Sequence, residues 1–309
     1  MPPMRIAVPD LITNSYFPAL AAEELDLYKA EGLDAHVELL TPAPAAMAAL
    51  RDGAVQCVVT GAHTTLTAFP GWKGAKLCVA VAQGTPWLLV LRADLFAKRG
   101  DVQAIKGLRI GAAPGPDAAL MRLLAEAGID VARDRVQVMR VPGTERPGTS
   151  FGVCAAEALE ARQIDGFWAN ALGSETAVRR GVGQIVVDVR RGDGPPAARD
   201  FTFAALITTE ALIDRQPEQV AAAVRGIVNS QRSLRTDPAR ATEVGRRRFP
   251  PTAAEMIATL VEHDLPFYDP VIREDAVRAM NEFARTLGLL QSLPRYDDVV
   301  ATRYRSLWA

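Results

Sequence analysis

The chain is poor in the residues that most often carry chemistry. Its 309 residues include three histidines and three cysteines, and aromatic residues make up only 6%. Cys57, Cys78 and Cys154 form no CxxC or CxxH pair, and an odd, widely spaced set gives no disulfide framework. Cys57 and Cys78 lie in the apolar runs AVQCVVT and KLCVAVA, where a free thiol behaves as a small buried hydrophobe. HExxH, GxSxG and a GK[ST] phosphate loop are all absent, as is any metal-ligand cluster, so no metal or cofactor is expected.

Long runs are missing too. No stretch of about twenty apolar residues exists, so no membrane-spanning helix is expected. With 35 basic and 36 acidic residues the net charge is -1, and no long like-charge block provides a nucleic-acid footprint. The triplet Arg246-Arg247-Arg248 reads as a solvated helix face. The opening MPPMRIAVPD lacks a charged n-region, an apolar h-region and a cleavage site, which implies a cytoplasmic protein if that start is the true one.

What is present is an alternation of short apolar runs with helical periodicity. Strands are expected over 5–8, 35–40, 55–60, 77–82 and 87–92, with helices over 17–31 and 44–52 between them. The stretch 61–65 opens another helix. A second round follows: strands over 108–112, 135–141, 166–169 and 184–189, and helices over 118–127, 154–162 and 176–180. The Gly- and Pro-rich stretch 190–200 reads as a crossover, and one more strand is expected over 203–208. Beyond it the pattern is helical: 217–236, 238–248, 253–260, 272–287 and a short helix near 296–307. Strand-helix alternation at this spacing predicts parallel-rich sheets with helices on both faces. The expected lobes are 1–90 with 195–309, which carries the helical C-terminal segment, and 91–194.

Residues 18–34 (PALAAEELDLYKAEGLD) resemble the opening segment of the type-II solute-binding proteins of the sulfonate, taurine, nitrate and thiamine-pyrimidine group, the SsuA/TauA/NMT1-like family. The resemblance continues through ALRDGAVQ at 49–56, IKGLRIG at 105–111 and ALEARQIDG at 158–166, in matching order and spacing. It implies a two-lobed periplasmic-binding-protein-like α/β fold with a ligand cleft between lobes that close by hinge motion. It also implies a periplasmic location and an ABC transporter permease as partner. The fold hosts enzymes as well.

In open parallel sheets the ligand sits beyond the carboxyl ends of the strands, so loops after strands supply the candidates. After the first strand come Asp10, Asn14, Ser15, Tyr16 and Phe17, where Asn14 or Ser15 could equally serve as a helix cap. Thr60, Gly61 and His63 follow the third strand; a lone histidine is more often structural. Gln83, Thr85 and Trp87 follow the fourth, and Trp87 could be core or could stack a planar ligand. In the second round, Gly115 sits in a turn like the family's anion loop but without its hydroxyls, which argues against a phosphate or sulfonate. The long loop after the strand over 135–141 offers Thr144, Glu145 and Arg146. Trp168 and Asn170 close the set, the amide being suited to the edge of a heterocycle.

The balance is aromatic and neutral-polar, which favours an aromatic or heterocyclic solute. A binding protein is the preferred reading. The alternative is a cytoplasmic lyase, decarboxylase or cofactor-synthesis enzyme using His63, Glu145 and Asp10, or a thiolate–imidazole pair of Cys57 with His63.

Overall fold

The computed structural model describes residues 2–10, 13–144 and 150–309. In chain order the strands are β1 (Met4–Val8), β2 (Ala35–Leu39), β3 (Cys57–Gly61), β4 (Ala75–Ala82), β5 (Leu88–Arg92), β6 (Arg109–Ala112), β7 (Gln137–Met139), β8 (Gly166–Ala169), β9 (Gly183–Asp188) and β10 (Ala204–Thr209). The helices are α1 (Phe17–Glu24), α2 (Leu27–Ala30), α3 (Ala43–Arg51), α4 (Pro116–Glu126), α5 (Phe151–Glu160) and α6 (Ala171–Arg179), then α7 (Glu210–Arg215), α8 (Pro217–Thr236), α9 (Arg240–Arg248), α10 (Pro251–Asp264), α11 (Glu274–Thr286) and α12 (Tyr296–Val299). None of the described helices is long and apolar enough to cross a membrane.

The chain divides into two compact units, Met1–Gly84 with Thr202–Ala309, and Thr85–Phe201. The sheet of the first unit has the order β2-β1-β3-β10-β4. β1 runs parallel to β2 and β3, while β10 is antiparallel to both β3 and β4. All five residues of β3 are buried, as expected of a strand covered on both faces. The C-terminal helical segment is fastened to β4 by polar side chains. Gln231 Nε2 donates to the carbonyls of Ala80 and Val81 at 3.1 and 2.9 Å, and Trp308 Nε1 donates to that of Cys78 at 2.9 Å.

The sheet of the second unit has the order β7-β6-β8-β5-β9, with β6 parallel to β7 and β8 and with β5 antiparallel to β8 and β9. At the end away from the β8 carboxyl terminus, Asp165 ties three strands together. Its carboxylate accepts from Arg109 Nε at 2.9 Å and from Arg92 Nη1 at 3.0 Å. The Arg109 guanidinium is the main reason its pKa lies below the usual carboxylate range.

Several sequence expectations change. The helix expected over 17–31 breaks into α1 and α2 because Asp26 takes a left-handed φ of 55°. The segment after β3 is a 3₁₀ helix, Ala62–Thr67. The apolar run at 87–92, read as a fifth strand of the first round, lies inside the second sheet. The chain accordingly passes from one unit to the other at 84/85 and 201/202, not near 90 and 195. α6 begins earlier than the expected 176, and α7 has no counterpart among the expected elements.

Candidate functional site

The carboxyl edge of the first sheet collects polar side chains from segments far apart in sequence. β1 and β3 end there, and antiparallel β10 begins there, since Ala204 pairs with both Gly61 and Ala82. Residues that precede β10 thus stand beside residues that follow β3.

His63, just past β3, is 4% exposed, and its Nδ1 lies 2.9 Å from Thr202 Oγ1. The edge of the Phe283 ring meets the imidazole at a centroid distance of 5.5 Å and an interplanar angle of 66°. Burial lowers the His63 pKa to about 4, so the ring is neutral near pH 7. Thr60, the fourth residue of β3, is 1% exposed, and its Oγ1 has no hydrogen-bond partner among the described residues.

The segment after β1 is buried in full from Asn14 to Phe17. Neither Asn14 nor Ser15 caps α1: Tyr16 holds the cap position, and no side chain bonds there. Asn14 turns instead to α10, where its Nδ2 donates to Asp264 Oδ2. Its carbonyl accepts from Tyr268 Oη at 2.7 Å, and its Oδ1 has no partner among the described residues. Asp10 is half-buried. Gln83 fastens backbone, its Nε2 donating to the carbonyls of Asp269 and Val271, both at 2.8 Å.

The second unit's carboxyl edge is read by itself. Thr85 is structural there, donating from Oγ1 to the Ala198 carbonyl at 2.7 Å. Trp87 and Trp168 are buried neighbours, their ring centroids 6.3 Å apart at 49°. Trp168 Nε1 has no partner among the described residues. Gly115, at φ 99°, precedes α4, and the turn is occupied by its own chain. Asp117 Oδ1 accepts from the backbone N–H groups of Gly115 at 2.9 Å and Ala118 at 2.8 Å. That internal carboxylate fills the place an anion would take.

Asn170 caps α6, its Oδ1 accepting from the Gly173 N–H at 3.2 Å, and Thr144 Oγ1 donates to the Val141 carbonyl at 2.8 Å. Glu145 and Arg146 lie outside the described residues. The thiolate–imidazole pair is excluded by placement. Cys57 opens β3, fully buried with its Sγ 3.9 Å from Met4 Sδ, and burial pushes its thiol up to about 12. The described residues contain no group of three or more His, Cys, Asp or Glu side chains that could hold a metal.

Sequence reasoning missed Thr202, Asp264, Tyr268 and Phe283, all at the first edge, and Arg190, which is 4% exposed just after β9. Loops after strands were the search rule, and Thr202 precedes a strand. A hint existed for Arg190: it directly follows an apolar strand, within a stretch that read as a crossover.

The model of the NMT1-like family matches residues 11–247. A structure from Bordetella bronchiseptica RB50 is 20% identical, with a TM-score of 0.76 over 99% of this chain and 96% of that one. The alkanesulfonate-binding protein SsuA from Xanthomonas axonopodis pv. citri, bound to MOPS, is 15% identical with a TM-score of 0.70, covering 97% and 96% of the two chains. The enzyme DszB in complex with biphenyl-2-sulfinic acid is 16% identical with a TM-score of 0.66, covering 98% and 97%. At these identities the likeness shows the fold, a periplasmic-binding-protein-like α/β architecture. No curated protein matches the sequence.

Proposed function

This chain belongs to the NMT1-like family, and from that premise we propose that it binds a small organic solute as the substrate-capturing component of an ABC-type import system. The observation that carries the reading is the pair of buried polar atoms at the carboxyl edge of the first sheet, Asn14 Oδ1 and Thr60 Oγ1, with no hydrogen-bond partner among the described residues. Folded proteins satisfy nearly all such groups, and an exception at a strand edge fits a group kept for a ligand.

The solute we propose is aromatic or heterocyclic. The groups near His63 are an amide, hydroxyls and a neutral imidazole, the Trp87–Trp168 pair in the second unit suits a planar ring, and the Gly115 turn is already occupied by Asp117. A permease of the import system is the proposed protein partner.

A second reading, an enzyme on the same fold, is favoured by the likeness to DszB and by the imidazole of His63 beside the Thr202 hydroxyl. One experiment separates the two. Native mass spectrometry of the purified chain identifies a co-purified compound, and incubation with fresh compound follows its fate. A binder returns it unchanged and gains thermal stability in proportion to its concentration. Turnover that is lost in His63→Ala would establish the enzyme reading. No retained compound and no stabilisation across a panel of small aromatic and heterocyclic solutes would remove both.

A further inference from the structure

Asn14 is 2% exposed, so its amide must find its partners inside the fold or on a bound molecule. Its Nδ2 donates to the carboxylate of Asp264, which is 3% exposed at the end of α10. A carboxylate oxygen only accepts, so the nitrogen end of the amide must face Asp264, and Oδ1 must face the other way. The reverse orientation would set acceptor against acceptor. The backbone is held as well, by Tyr268 Oη on the Asn14 carbonyl at 2.7 Å and by the Phe17 N–H on the same oxygen at 3.3 Å. Asn14 Oδ1 is therefore an oriented, buried acceptor, and no described residue donates to it.

We infer that Asn14 Oδ1 sets the hydrogen-bond polarity of the solute: the bound molecule presents an N–H donor there, from an amide, amino or amidine group. This rests on the proposed reading that the first-sheet edge binds a solute, and it narrows that solute's chemistry. Molecules that offer only acceptor oxygens, such as a sulfonate or nitrate, would press oxygen against Oδ1 and leave it unpaired. Thr60 Oγ1 does not oppose the assignment, because a hydroxyl can donate or accept. Discrimination of this kind is strong, since the wrong solute leaves a buried polar group without a partner.

The test is calorimetric titration of the full chain with benzamide, N,N-dimethylbenzamide, benzamidine and benzenesulfonate. Benzamide or benzamidine is expected to bind at least about tenfold tighter than the dimethylated amide, and benzenesulfonate weakest of all. In Asp264→Asn the Asn14 amide is free to turn over, so the preference of benzamide over its dimethyl form should fall toward unity. A loss that came only from the bulk of the methyl groups would persist in that variant. Benzenesulfonate or the dimethylated amide binding as tightly as the N–H donors overturns the inference while leaving solute binding intact, and it does so in the unsubstituted protein even if Asp264→Asn fails to fold. If none of the four probes binds and no compound co-purifies, the binding reading falls and takes the inference with it.

Discussion

His63, held neutral by burial, resists a proton that the unfolded chain accepts. Its folded pKa is about 4, below the ordinary 6.5, so between those values the unfolded state binds more protons. Stability from this group is complete above pH 6.5 and is lost as the pH falls toward 4, a total on the order of 3 kcal/mol. Urea unfolding at pH 7.5 and 4.5 should show a smaller difference in His63→Gln than in the unsubstituted chain. Equal differences would mean that the imidazole does titrate normally in the fold. Single residues were only partly legible in the sequence. His63, Asn14 and Thr60 follow strands and could be named, whereas Gln83, Thr85 and Asn170 follow strands just as well and serve the backbone. Local sequence reveals position along a strand; it does not reveal what a side chain meets across the sheet.

Among the elements, α5 and α6 depend on two glycines that touch. A Cβ added at Gly173 would lie 2.4 Å from Gly152 Cα and 2.6 Å from its carbonyl carbon and oxygen. Backbone atoms cannot swing aside as a side-chain tip can. Helix propensity alone favours alanine over glycine by about 1 kcal/mol, so the sign of the effect decides between the two influences. Gly173→Ala is expected to destabilise by about 1–3 kcal/mol, read as a lowered midpoint in urea. A rise in stability would show that the helices can separate at no cost. Element identity was readable where period and punctuation agreed: β8 over 166–169 and α8, with Pro217 in its first turn, have the bounds that the sequence implies. It failed where one residue overrode the pattern, as at Asp26, whose left-handed backbone splits a continuous helical period.

For the whole molecule, strand order matters more than strand content. The pattern of apolar runs cannot say which sheet a strand joins, and β5 was assigned to the wrong round for that reason. Long-range pairing also hid half of the candidate site, since Thr202, Asp264 and Tyr268 reach the first edge only through the return of the chain. The division has a direct test. Residues 85–201 contain all five strands of the second sheet and should fold as an isolated fragment, with a cooperative urea transition. Residues 1–84 lack β10 and should not fold alone. A fragment 85–201 without cooperative unfolding would mean that this unit depends on the rest of the chain.

The insertion of β10 between β3 and β4 also imposes an order on biosynthesis. As the polypeptide leaves the ribosome, the residues of β1 to β4 emerge first, yet the gap between β3 and β4 stays open until residue 209 has been translated. Thr85–Phe201 is made in the meantime, with every strand it needs already outside the tunnel. The unit that is started first is therefore the one finished last, and its apolar edges depend on the nascent chain being held apart from its neighbours until then.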